Sequence, residues 1–474
     1  MNATANGLSA NTLGVAAITF FVVSAAGPLV AIAGGVPVAM LLGNGAGIPA
    51  TFAIALAILL TFAAGFTAMS RYVKSAGGFY AFAAHGLGGY AAASTATIAV
   101  FSYTSIQLAF YGLFGAATST LIAAHFHLHL AWWVYSLMAI GMIGVLGYRQ
   151  IDLSVRVLSV LVLCEYLVVL ILDFSILHEH AAEISVAPFT ASVIASGSPW
   201  MGLLWCFACF IGFEATIIYS EEARDPASTI PLATYVSLLL IGAFYVFSSW
   251  CMVLAPGTRK LMAQLAELPD VTTFLFQLSD QYVGTWLTLA MRMLFVTSIF
   301  AGMLAFHNSI ARYFFAMGRD RLIPQALGRT HHIHRSPHRA SLVQTASGAV
   351  LLATFVAAGA DPVAVLFARV GSVGTLGVIA LMLIASAAVW RYFATRPGNL
   401  WRVRILPVVA TASLLCLLAL ACLRFDALAG GMSPLIMWLP LFLLLAALVG
   451  LAMADRLRRR DLVWFRELGR VAET

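Results

Sequence analysis

Apolar stretches long enough to cross a bilayer recur along the whole chain, separated by short charged or Gly- and Pro-rich breaks. They fall near residues 13–42, 48–70, 89–123, 130–147, 153–177 and 199–220, and again near 229–254, 283–317, 341–358, 362–388, 403–423 and 433–453. A hydrocarbon core about 30 Å thick needs about 20 apolar residues per helix, so the pattern predicts an all-α integral membrane protein of about twelve transmembrane helices.

Two of these spans are interrupted. The first contains SAAGPLVAIAGGVP, with Gly27-Pro28 and Gly34-Gly35 inside the apolar run, and the sixth contains CFIGFE, with Gly212 and Glu214. Pro28 carries no N–H, and both interruptions bare backbone groups that lipid cannot satisfy, so the breaks are expected to face protein or a water-filled cavity. Interrupted spans in corresponding positions, first and sixth, point to inverted repeats around a central binding site. The expected organisation is a tail (1–12), a ten-helix core (13–390) of two repeats at about 13–180 and 199–390, two further helices (391–454), and a basic tail (455–474).

Composition narrows the class. Of 474 residues, 62% are hydrophobic and 9% charged, against roughly 25% charged in soluble chains, which leaves no room for a large soluble domain. With both termini placed in the cytoplasm, most of the 26 Lys and Arg residues fall in cytoplasmic loops and tails, Arg71, Lys74, Arg149, Arg156, Arg319 and Arg456 among them. Arg259, Lys260 and Arg424 then lie outside, while Arg292 and Arg369 fall within spans. The net charge of +7 is therefore a topology signal for a multi-pass protein of the cell membrane, not a sign of nucleic-acid binding. Residues 1–12 lack the pattern of a removable signal peptide. The six cysteines lie in or at the ends of apolar helices, so no disulfide framework is expected, and Cys206-x-x-Cys209 reads as two packing residues. The groups HFHLHL and HHIHRSPH fall in predicted loops without a helical His-Glu-x-x-His pattern, and neither a metal nor a cofactor is expected.

Three motifs in order resemble a known family. GFEATIIYSEEARDPASTIP (Gly212 to Pro231) is similar to the segment closing helix 6 of the amino acid-polyamine-organocation superfamily; SRYVKSAGGFYAFAAHGLG (Ser70 to Gly88) resembles the loop after helix 2, and NSIARYFFAMGRDRLIP (Asn308 to Pro324) the end of helix 8. The resemblance implies a leucine-transporter-type fold, five plus five inverted helices with helices 1 and 6 broken, that moves amino acids or amines by alternating access. Half-helix N-termini hold anions and freed carbonyls hold cations. By resemblance the substrate carboxylate sits on the backbone of Ala25, Ala26 and Gly27, and its ammonium among carbonyls of the Gly212 break, at Phe210 with Cys209 or Ile211. Phe210 resembles an aromatic lid, and Ser102, Tyr103 and Gln107 are candidates to line the same cavity. The first break departs from the family's usual Gly-x-Gly, reading Ala26-Gly27-Pro28.

Glu165 is the candidate for coupling. It falls near the middle of the fifth span, where a carboxylate costs several kcal/mol unless paired, protonated or facing water, so it is a candidate proton relay. Many relatives carry a lysine there; the opposite charge sets this chain apart. Thr297 or Ser298, at similar depth in the eighth span, can supply hydroxyls to a cation beside it, which keeps Na+ coupling open beside H+. Glu214 either recognises a cationic substrate group or caps the second half-helix. Arg292 and Arg369 are candidate gate residues. In the exit SEEARDP, Pro226 is expected to stop the sixth helix where charges meet water, and Ser228 or Thr229 to cap the next.

The function that follows is a permease for amino acids, proton-coupled or exchanging. A carrier of polyamines or other amines, or a solute sensor that does not transport, is the alternative. An intramembrane enzyme would need a convergent nucleophile and base, and a pore a polar stripe along several helices; neither pattern is present.

Overall fold

The computed structural model describes residues 12–149, 155–429 and 438–470. Among these residues no sheet forms, and the β-pairing is confined to an isolated parallel bridge between Leu13 and Ala223. The helices are α1 (Val15–Leu42), α2 (Gly45–Ser70), α3 (Gly89–Phe126), α4 (Trp132–Arg149), α5 (Val157–Glu179) and α6 (Pro199–Tyr219). They continue as α7 (Pro226–Leu254), α8 (Thr285–Arg319), α9 (His338–Ala357), α10 (Pro362–Phe393), α11 (Trp401–Leu423) and α12 (Leu441–Arg460).

Ten of these are long and apolar enough to cross a membrane. The other two, α4 and α12, occupy the fourth and twelfth expected positions but are less apolar. Trp132, Trp133 and Arg149 dilute α4, and α12 ends in Arg458, Arg459 and Arg460. Residues 1–11 of the expected first tail, 153–154 of the fifth span, 433–437 of the twelfth and 471–474 of the basic tail lie outside the described residues.

The interrupted helices sit at the centre. α1 and α6 are among the most buried spans, whereas α9 and α11 leave most of their surface outside the core. α1 packs on α5, α7, α8 and the second half of α6, while α3 packs on α8, α10 and α12. Apolar side chains cover the outer spans, as a lipid-facing surface requires.

One junction differs from expectation. Pro226 does not end α6; it opens α7 with Asp225 as N-cap, whose Oδ1 accepts from Ala227 N at 3.3 Å and Oδ2 from Ser228 Oγ at 2.6 Å. Proline suits a first helical position because the N–H it lacks has no intrahelical partner there. The acids before it are not solvated either, since Glu222 is 2% exposed.

Candidate functional site

The site is built from two backbone breaks that touch. In α1 the α-helix Val15–Ala26 ends at Gly27, whose φ of +55° and N–H bonds to Val23 O (3.1 Å) and Ser24 O (3.2 Å) close the first half. Pro28 starts the second half, which passes through a wide turn at Ala31–Gly35 before regaining α-geometry at Val36–Leu42. In α6 the helix Pro199–Cys209 ends, Gly212 takes φ +118°, and Phe213–Tyr219 resumes as a tight 3₁₀ helix. A Cβ on Gly212 would lie 2.9 Å from Ala25 C and Ala26 N. Glycine is required there on two counts, a positive φ and the backbone of the opposite break.

Carbonyls at the α6 break are unequally engaged. Cys209 O accepts from Tyr245 Oη at 3.1 Å and Phe210 O from Phe213 N at 3.3 Å, but among the described residues Ile211 O accepts no hydrogen bond. Ala25 and Ala26 of α1 and Cys209 and Ile211 of α6 border a cavity of about 120 Å³, closed by Phe110 of α3 and Phe306 of α8. Gly371, Ser372 and Thr375 of α10 complete it, and no acid or base lines it. Trp205, which sequence reasoning missed, also lines it, and its indole N–H is buried without a partner.

The remaining candidates take various places. Gly27 sits at the α1 break beside the cavity-lining Ala26. Phe210 is 1% exposed and packs edge-on against Phe52 (6.2 Å) and Tyr245 (5.5 Å). Tyr103 donates to Glu214 Oε1 at 3.1 Å, and Glu214 Oε2 accepts from Gly212 N at 2.8 Å, so both oxygens of this acid are engaged beneath the break. Ser102 Oγ donates to Ile98 O, and Gln107 Oε1 accepts from Gln344 Nε2 at 2.6 Å. Arg292 lies 4.8 Å over the Phe276 ring, and Arg369 keeps a buried Nε without a partner.

Glu165 reaches the α1 break. Its Oε2 accepts from Ser298 Oγ of α8 at 2.8 Å and from Leu29 N, in the first turn after Pro28, at 3.4 Å. The carboxylate thus meets the positive end of the second half-helix. Thr297 turns away: its Oγ1 donates to Leu294 O at 2.9 Å, and it borders an apolar groove with Phe114 and Val145.

On the far side of the breaks from the cavity, an ion-paired layer closes the molecule. Arg312 Nη2 lies 2.8 Å from Glu222 Oε2, with its guanidinium 4.7 Å over the Tyr219 ring, and Arg319 Nη2 lies 2.9 Å from Glu221 Oε1. Glu221 also accepts from Ala76 N at 2.8 Å, while Thr12 N and Leu13 N donate to Glu222 O at 2.9 and 3.0 Å. Asp320 accepts from Tyr80 Oη at 2.5 Å and from Gly469 N at 2.7 Å. Burial pushes its carboxyl above the usual range despite these donors. All three motifs meet here, the first through Glu221 and Glu222, the second through Ala76 N–H and the Tyr80 hydroxyl, the third through Arg312, Arg319 and Asp320, a convergence that spacing along the chain does not reveal.

Apolar spans, two of them broken where they touch and bordering a cavity, define a multi-pass helical membrane protein of the broken-helix class. A family model described as "Amino acid permease" matches residues 12–448, and the chain belongs to that family of transporters. Relatives include an uncharacterised transporter of Rhizobium meliloti (strain 1021), 26% identical over 279 residues, 56% of this chain and 57% of the relative. The branched-chain amino acid permease BcaP of Bacillus subtilis (strain 168) is 28% identical over 204 residues, 43% of this chain and 41% of the relative. The low-affinity putrescine importer PlaP of Escherichia coli (strain K12) is 28% identical over 138 residues, 28% of each chain. The matches thus span 57%, 41% and 28% of the lengths of these three relatives.

Proposed function

We propose that the protein carries small neutral amino acids across the cell membrane by alternating access, coupled to protons, with both termini cytoplasmic and the five-plus-five inverted organisation of its core. The observation that carries this reading is the meeting of the Gly27 and Gly212 breaks beside an apolar cavity of about 120 Å³. Backbone at a break offers both signs of partial charge, which is what a zwitterion needs. On this reading the carboxylate lies on the Ala25–Gly27 backbone, the ammonium on Ile211 O, and the side chain among Phe110, Phe306 and the α10 wall.

The cavity's chemistry separates the alternatives. A diamine carries two cations and needs an anion for the second, yet no acid lines the cavity, and both oxygens of Glu214 are already engaged. The branched-chain permease, rather than the putrescine importer, is therefore the nearer guide to cargo. Glu165 is the coupling group: as a carboxylate it caps Leu29 N–H, and as an acid it releases that charge, linking proton binding to the geometry of the α1 break.

Uptake of labelled alanine, leucine and putrescine by the purified chain in liposomes tests this. Accumulation or exchange of the neutral amino acids, uncompeted by putrescine, is expected. Binding without either accumulation or exchange overturns transport, and preferential putrescine uptake overturns the substrate class.

A further inference from the structure

A second buried acid lies on the helix that carries Glu165. Asp173 is fully buried, eight residues further along α5, a rise of about 12 Å toward the face opposite the ion-paired layer. Its Oδ2 accepts from Ser248 Oγ of α7 at 2.6 Å, whereas Oδ1 is buried with no hydrogen-bond partner. Among the described residues no Lys or Arg forms an ion pair with it, as the ion pairs there involve other acids.

That arrangement is costly for an ion. A carboxylate with one bare oxygen in the interior loses several kcal/mol of solvation that a single hydroxyl does not return. Either a proton or a metal cation relieves it. Metal cations take cages of several ligands, and among the described residues no three His, Cys, Asp or Glu converge to hold one. A proton on Oδ1 needs no cage.

The surroundings also offer a route. Next to Glu165 on α5, Tyr166 keeps a buried hydroxyl without a partner, its ring 4.2 Å from that of Phe244, which stands one turn before Ser248 on α7. In the halves of the packed elements that lie toward that same face, the titratable groups are Tyr245 and Cys251 of α7, Asp280 and Tyr282 of the short helix Phe274–Tyr282, and Arg292 of α8. α1 contributes none.

We propose that Asp173 is a second proton-binding site, loaded from the face opposite the ion-paired layer, which supplies protons to Glu165 along a path that includes the Tyr166 hydroxyl. Only O–H bonds change: the Asp173 carboxyl becomes a carboxylate, each hydroxyl on the path gives one proton and takes another, and the Glu165 carboxylate becomes a carboxyl. This inference rests on the proton-coupled reading of Glu165 above.

The test uses the full chain in liposomes and compares two modes in the parent, Asp173→Asn, Ser248→Ala and Tyr166→Phe. Exchange of labelled substrate without a pH gradient is expected to persist in all of them. Gradient-driven accumulation is expected to fall to the exchange-only level in D173N, to slow in Y166F, and to shift its pH midpoint in S248A. Infrared difference spectra of the parent should show a protonated-carboxyl band that D173N lacks. D173N that accumulates substrate as the parent does overturns the proposal while leaving Glu165 coupling intact. A parent indifferent to the pH gradient overturns both. If D173N does not fold, S248A with an unmoved pH midpoint and Y166F with an unchanged rate overturn it.

Discussion

The α-carbon of Gly212 faces the peptide between Ala25 and Ala26 so closely that a Cβ would stand 2.9 Å from both its carbon and its nitrogen. Two chain breaks far apart in sequence thus meet backbone to backbone, with no room for a side chain between them. Gly212→Ala should suffer twice: the strained φ costs about 1–3 kcal/mol and overpacking about 1–3 kcal/mol more. The expected result is a lowered Tm and loss of uptake. Gly141→Ala, on α4 where nothing lies within 4 Å of a built Cβ, should keep both. Equal behaviour of the two variants would show that the breaks are not held at contact.

Much of this arrangement was legible before any coordinates. Span positions follow from runs of apolar residues too long for anything but a bilayer, and most observed ends fall within a few residues of the expected ones. The breaks were legible because Gly-Pro and Gly-Phe-Glu violate the chemistry of a lipid-facing helix. What depends on helix rotation was only half legible: depth alone nominates Thr297 and Ser298 equally, but successive residues on a helix point about 100° apart, and only Ser298 turns to Glu165. What depends on docking was not legible. Glu221 and Glu222 at the end of a span read as solvated charges, and their partners Arg319 and Arg312 stand 98 and 90 residues away. Asp173 carries the same signal as Glu165, an acid within an apolar span.

Glu165 can be stripped of its titration without being stripped of its contacts. In Glu165→Gln the amide oxygen still accepts from Ser298 and Leu29 N–H, so the stability loss should stay below about 1.5 kcal/mol. Accumulation driven by a pH gradient should disappear while exchange continues. Full gradient dependence in E165Q would remove this residue from the coupling.

The ion-paired layer offers a handle on conformation. Truncating one partner of a buried pair costs about 3–5 kcal/mol, so Arg312→Ala should weaken the state closed on that face as well as lower the Tm. Ala305, which borders a cavity of about 20 Å³ with Ser24 and Asn308 behind the pair, is the reporter position. With Cys416 and Cys422 replaced by serine, a cysteine introduced at Ala305 should react slowly with a water-soluble thiol reagent in the parent and faster in R312A. Unchanged reactivity would mean that the pair supports the fold but does not gate it.

Whether Glu214 touches cargo turns on its partner from α3. Tyr103 Oη donates to Glu214 Oε1 at 3.1 Å, while Oε2 caps the break at Gly212 N. Tyr103→Phe keeps the ring tilted against those of Phe306 and Tyr313 but strips a buried acceptor of its donor, a loss of about 1–3 kcal/mol. If Glu214 works only as a cap, Y103F lowers the Tm and leaves the apparent affinity for neutral amino acids within a few-fold of the parent. If the acid is instead part of the cavity, freeing one of its oxygens should admit a second cation, and Y103F should gain affinity for lysine or putrescine. Thermal shift and competition uptake on the same preparation distinguish the two, and the engaged geometry of both oxygens predicts the first.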